Sequence, residues 1–224
     1  MQELLANINI KINEKIYLKN PETSKLGKKI IQESILLIDN IGFDNFTFKK
    51  LGEKIQSNES SVYRYFENKH KLLLYLSDWY WSWIEYRIVF ATNNINNPIE
   101  KLYNAIAIVS EKVEDDKQTL YINESILNKI IVIEFTKTFL TKEVDAENKE
   151  GFFLVYKRVV NRIITFIQDV NPDYKFSKSL ASSIVQGALH QHFLRDHLKT
   201  ITNSEQNSPL EFYKDLVTKI LISR

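Results

Sequence analysis

The chain has 224 residues, 44% of them hydrophobic, which is enough to pack one good-sized domain or two small ones and too much for a disordered protein. A net charge of +2 excludes a protein that coats nucleic acid by charge alone, and the absence of cysteine excludes disulfides and thiolate metal sites. Asn7, Asn9, Lys11 and Asn13 interrupt the first apolar stretch, so no secretory signal is read and a cytoplasmic protein is expected.

Residues 1–22 form an N-terminal extension. Leu5, Ile8, Ile12 and Ile16 suit a helix, while Ile8, Ile10 and Ile12 also alternate as a strand would. An extra helix or a partly ordered tail is expected here, in preference to a lysine-bearing arm that reaches DNA. Next, Leu26, Ile30, Ile31, Leu37, Ile38 and Ile41 fall mainly on one helical face, and Gly42 is placed to end that helix in the left-handed conformation.

The stretch 47–73, TFKKLGEKIQSNESSVYRYFENKHKLL, carries the chemistry. Leu51 and Ile55 mark the buried side of one short helix, Val62 and Phe66 that of the next, and Ser57 and Asn58 supply the break between them. Thr47 and Asn68 are spaced to cap the helices that follow them. Helices this short are not stable alone and must dock on the one before, giving a three-helix unit. Lys49, Lys50, Lys54, Arg64, Lys69 and Lys71 outnumber Glu53, Glu59 and Glu67 there, a local basic patch suited to DNA.

This order of residues resembles the N-terminal DNA-binding domain of the tetracycline-repressor-type (TetR) family of bacterial regulators. The resemblance rests on Thr47, on the Tyr63-x-Tyr65-Phe66 run and on Lys69 three residues later, and it spans about a quarter of the chain. It implies an all-α protein with a helix-turn-helix DNA-binding domain at 23–73 and a helical ligand-binding and dimerisation domain at 74–224. Two positions depart from the family pattern: Gln56 stands where glycine is usual at the turn, and Glu59 where a small, polar or basic residue commonly faces DNA. Ser60 and Ser61 suit base edges, and Arg64 suits a guanine or a phosphate. Thr47, Tyr63, Tyr65 and Lys69 are better placed for phosphates.

Beyond 73 the chain reads as helices at about 69–92, 98–116, 119–141, 149–170, 177–200 and 209–222. Asn97-Pro98-Ile99-Glu100 and Ser208-Pro209-Leu210-Glu211 are strong helix starts, each with a cap, a proline at the first position and a glutamate three after the cap. The most membrane-like stretch, Leu72–Phe90, contains Asp78, Glu85 and Arg87 and reads as a buried helix, so no membrane partner is expected. Tyr80, Trp83, Tyr86, Arg87 and Phe90 on that helix are the candidate lining of a pocket for a small apolar or aromatic effector, with core packing as the competing reading. His190, His192, His197 and Asp196 do not share one helical face, so no metal is expected.

Leu180, Ile184, Ala188 and Leu189 make one apolar side of the helix near 177–200, as do Leu210, Tyr213, Leu216, Val217 and Ile220 near 209–222. By the resemblance, these two helices form a homodimer interface. No catalytic residues and no cofactor are expected, because the chain has no thiol, no HExxH and no serine elbow. The expectation is a ligand-responsive repressor acting as a homodimer on a palindromic operator. The alternatives are a related helical protein without an inducer, or one that has lost operator binding and acts through protein partners.

Overall fold

The computed structural model describes residues 10–115, 121–203 and 208–222. Among these it contains ten α-helices and no strand: α1 (Lys25–Asn45), α2 (Phe48–Lys54), α3 (Glu59–Tyr63), α4 (Lys69–Thr92), α5 (Pro98–Ser110), α6 (Glu124–Phe139), α7 (Val144–Lys149), α8 (Leu154–Val170), α9 (Ser177–His197) and α10 (Pro209–Leu221). The all-α class expected from the periodicity is the class observed. None of the helices, among the described residues, is long and apolar enough to cross a membrane.

The helix starts follow local chemistry. Thr47 accepts from the Lys50 amide at 3.2 Å, Asn58 from the Ser61 amide at 2.9 Å and Asn68 from the Lys71 amide at 2.9 Å. Each satisfies an orphan N–H of a first turn. Ser208 and Glu211 form the full reciprocal capping box at α10. The helix expected over 98–116 ends at Ser110, and the one expected from 119 begins at Glu124, capped by Asn123. Residues 116, 119 and 120, which those two expectations included, lie outside the described residues. The helix expected over 149–170 begins only at Leu154, because Gly151 takes a positive φ of 83° in the turn after the short helix α7, which ends at Lys149.

The chain forms two compact units. The first comprises Met1–Tyr80 and Val113–Phe153, the second Trp81–Lys112 and Leu154–Arg224. α4 contributes its first half to one and its second half to the other.

In the first unit α1 packs against α2 and α6, and α2 against α3. Its core gathers Ile30, Ile31, Ile35, Ile38, Phe46, Leu51, Val62 and Phe66. Burying each of these side chains contributes roughly 1.5–3 kcal/mol, which is what holds the short helices α2 and α3 in place. Gly42 has the expected positive φ (76°), but its ψ of 154° is extended, and one further turn forms beyond it, so α1 is kinked there rather than ended. The N-terminal extension also differs from expectation. Residues 10–24 form neither a regular helix nor a strand but two single 3-10 turns, Glu14–Ile16 and Pro21–Thr23, each led by an asparagine cap. Leu5 and Ile8, which entered the helical and strand readings, lie outside the described residues.

In the second unit α5, α8 and α9 pack mutually, and α10 packs on α5 and α9. Leu180, Ile184, Ala188 and Leu189 are all buried. Glu85 is buried and held by two arginines, with its carboxylate 2.8 Å from Arg158 Nη2 and 3.1 Å from Arg162 Nε. The pairing is what makes a buried carboxylate tolerable on α4. His192 is buried, and burial together with Arg195 lowers its pKa to about 4. His190 and His197 flank the Phe193 ring, with centroids at 6.2 and 4.8 Å.

Candidate nucleic-acid interface

The turn between α2 and α3 is shaped by a conflict between sequence and backbone. α2 ends in a Schellman arrangement, with the Gln56 amide donating to Glu53 O at 3.2 Å and the Ser57 amide to Gly52 O at 2.8 Å. That motif needs a left-handed residue, and Gln56 occupies the position at φ 57°. The departure noted in the sequence therefore leaves the turn intact and puts a side chain where glycine is least strained. Gly52 is required for a different reason. A Cβ there would lie 3.0 Å from the Glu59 amide nitrogen and 3.1 Å from Ser57 O, so α2 and the start of α3 touch backbone to backbone.

α3 opens on a dense side-chain cap. Asn58 Oδ1 gathers three donors, the Ser61 amide at 2.9 Å, Ser61 Oγ at 2.7 Å and Ser60 Oγ at 2.8 Å. Ser60 is exposed, while Ser61 is only 6% exposed. Arg64 is exposed with Nη2 3.4 Å from Ser61 Oγ, which leans the guanidinium back along α3. Tyr63 is 47% exposed and rests edge-on against the buried Phe48 at 4.9 Å, so the ring is positioned by the core while about half of the residue stays open to solvent. Thr47 is exposed at the start of α2, beside the exposed Lys49 and Lys50. Glu59 is half-buried in the first turn of α3, where a carboxylate suits the helix dipole.

Two residues set against phosphate by the sequence reading have their polar atoms occupied within the protein. Tyr65 is 2% exposed, and its hydroxyl lies 2.8 Å from Ser24 Oγ. Lys69 donates to the carbonyls of Phe43, Asp44 and Phe46 at 3.0, 3.1 and 3.3 Å and lies 4.9 Å from the Phe43 ring centroid. These carbonyls belong to the kinked end of α1, so the ammonium acts as its C-terminal cap. Lys29 caps the end of α2 in the same way, donating to Ile55 O at 3.0 Å. Sequence reasoning missed this role, because the partner lies 26 positions away.

Of the candidate pocket residues, Tyr80 is buried and its hydroxyl accepts from Asn128 Nδ2 at 2.8 Å. Trp83 is buried with the Arg87 guanidinium 4.7 Å from its ring centroid, while Tyr86 and Phe90 are 36% and 39% exposed. A separate cleft of about 540 Å³ lies in the first unit at the start of α4, lined by Asn68, His70, Lys71, Thr141, Glu147 and Phe152 among others. There His70 Nε2 meets Glu147 Oε1 at 2.8 Å, and Lys71 Nζ lies 3.8 Å from the Phe152 ring centroid. No sequence signal pointed to it.

A three-helix head with a capped, glycine-backed turn, an exposed serine and tyrosine on the short helix after the turn and an exposed arginine at its C-terminal cap defines a helix-turn-helix DNA-binding protein. Residues 30–76 match the family model for bacterial regulatory proteins of the tetR family. Residues 30–76 are therefore a domain of the tetR-family type, and the fold of the chain is shared with solved structures. It is similar to the structure of superantigen PfiT (TM-score 0.61, 15% identity, 92% of this chain and 100% of that one). It is also similar to AibR in complex with isovaleryl coenzyme A and operator DNA (TM-score 0.55, 16% identity, 86% and 96% covered). A third likeness is to PfmR, a TetR-family transcriptional regulator from Thermus thermophilus (TM-score 0.53, 13% identity, 87% and 95% covered). At these identities the likeness is one of fold. By sequence, no curated protein matches the chain.

Proposed function

We propose that this regulator is a cytoplasmic, effector-responsive repressor that binds a palindromic operator as a homodimer, without catalysis. The observation that carries the reading is the outward row Thr47, Ser60, Tyr63 and Arg64 on a head whose turn geometry is fully hydrogen-bonded, with Lys49, Lys50 and Lys54 exposed around it. Ser60 and Arg64 are assigned to base edges, and Thr47 and Tyr63 to phosphates. Ser61, held against Asn58, orients Arg64. Tyr65 and Lys69 act at one remove, by fixing the end of α3 and the join between head and α4.

Functionally we divide the chain into the extension 1–22, the reader 23–73 and a regulatory and dimerisation region 74–224. For dimerisation we favour helices near 177–200 and 209–222. Phe212, 51% exposed, and half-buried Leu216 and Ile220 repeat at i, i+4, i+8 on α10, an apolar row left open while Tyr213 and Val217 are buried. Pairing would set two heads to read half-sites about 34–36 Å apart, or a multiple of one turn. Trp83, Tyr86, Arg87 and Phe90 share one face of α4 and are the proposed effector lining, and the effector acts by binding one head spacing better than another.

The test is a fluorescence-anisotropy titration of the full chain against duplex DNA from upstream of its own gene, at two salt concentrations. Sequence-selective binding that weakens at least tenfold in Arg64→Ala is expected. Equal affinity for unrelated duplexes, or an Arg64→Ala protein that binds as the wild type does, overturns operator reading. A second reading, recognition of a protein partner in place of DNA, is favoured by the enclosed Ser61 and Tyr65. It predicts no duplex binding at all.

A further inference from the structure

The end of α3 is covered by the N-terminal extension, and the covering segment carries its own cation. The Leu18 amide donates to Tyr65 O at 2.8 Å, Ser24 Oγ bonds the Tyr65 hydroxyl at 2.8 Å, and Lys19 Nζ lies 5.3 Å from the Tyr65 ring centroid. The tyrosine that follows Arg64 is thereby 2% exposed, whereas Lys19 itself is exposed. What faces solvent at this place is the ammonium of Lys19 and not the Tyr65 hydroxyl.

This segment is anchored on both sides of Lys19. Before it, Ile12 and Ile16 are 4% and 1% exposed, so the chain is pinned into the core. After it, Asn20 caps the Pro21–Thr23 turn through the Glu22 amide at 2.9 Å. Pro21 lies so close to α1 that a Cβ on Gly27 would be 2.2 Å from its carbonyl oxygen. Glu22 is then gripped by two phenols, Tyr75 at 3.0 Å and Tyr121. A lysine on a free tail pays most of its binding energy back in lost freedom, whereas one on a docked strap does not.

We propose that residues 17–24 are a built part of the DNA-binding surface, and that Lys19, held over the covered Tyr65 ring, contacts the sugar-phosphate backbone flanking the groove entered by α3. The proposal rests on the DNA-binding reading above and extends the reader beyond the three-helix unit. It takes up the lysine-bearing arm that the sequence placed second to an extra helix or a partly ordered tail. A phosphate contact contributes charge neutralisation independent of sequence, so it has a signature that base contacts and packing lack.

The experiment is an anisotropy titration of full-length protein over a series of salt concentrations, using the duplex that the wild type binds and an unrelated one. The variants are Lys19→Ala, Lys19→Arg, Lys11→Ala and Arg64→Ala, each checked for unchanged helicity. Lys19→Ala is expected to weaken binding roughly threefold to tenfold on both duplexes and to make the slope of log K against log salt shallower by about 0.9. Lys19→Arg restores both, and Lys11→Ala, an exposed lysine outside residues 17–24, changes neither. If Lys19→Ala keeps the wild-type slope while Arg64→Ala weakens binding, the proposal fails and the operator reading stands. If Lys11→Ala flattens the slope as much as Lys19→Ala, the effect is general charge and the proposal fails. A wild type that binds no duplex removes both.

Discussion

Replacing Gln56 by glycine should stabilise the head, against the usual direction of a substitution to glycine. Gln56 sits at φ 57° in the Schellman turn that ends α2 and is exposed, so its side chain contributes no packing to lose. A left-handed backbone costs a residue with a Cβ about 1–2 kcal/mol. Glycine escapes that cost but adds about 0.5–1 kcal/mol of backbone entropy lost on folding. The difference leaves Gln56→Gly more stable by about 0.5–1 kcal/mol, which for a chain of this length raises the melting midpoint by roughly 1–4 °C. Gln56→Val, β-branched at the same φ, should lose more than about 1 kcal/mol. The assay is urea unfolding followed by far-UV circular dichroism, with the limiting slope compared between variants so that a change in the unfolded state is recognised. An unchanged or lower midpoint for Gln56→Gly, or no difference between Gly and Val, would refute the claim that this turn stores strain. DNA affinity should stay within about twofold in Gln56→Gly, because the two backbone bonds of the turn do not involve the side chain.

Gly52→Ala is the converse case. Its new methyl must push on the backbone of Ser57, Asn58 and Glu59, where no flexible side chain can yield. A loss of about 1–3 kcal/mol is expected, with a fall in duplex affinity of at least about tenfold as α3 shifts; a variant with wild-type stability and affinity would mean the two backbones are not in contact. Stability should also fall on acidification through His192, whose folded pKa is about 4 against an ordinary 6.5. Above pH 6.5 the imidazole is neutral folded and unfolded. As pH falls from 6.5 towards 4 only the unfolded chain takes up the proton, so stability drops by roughly 3 kcal/mol in all and then levels off from this group. Urea midpoints at pH 7 and 4.5 should converge in His192→Gln relative to the wild type, and an identical pH dependence in the two proteins would sink the assignment.

What the sequence by itself determined is what lies within a few residues. The caps at Thr47, Asn58, Asn68 and Ser208 and the all-α class were legible because each bond spans three positions or each face repeats at 3.6. Even the Pro21–Thr23 turn carries the asparagine-proline start that announced α5, although the apolar alternation before it pointed elsewhere. Tertiary structure decided which polar groups remain available. The tyrosine and lysine of the family pattern, Tyr65 and Lys69, have their hydroxyl and ammonium bound by Ser24, 41 positions away, and by the carbonyls of Phe43, Asp44 and Phe46, 23 to 26 positions away. Glu85 meets arginines 73 and 77 positions on, and Glu22 meets phenols 53 and 99 positions on. A buried donor or acceptor must find a partner, and across such separations the partner is chosen by packing, which no local pattern records. The same packing made residues 17–24 a strap beside α3, with Lys19 exposed over the buried Tyr65 ring.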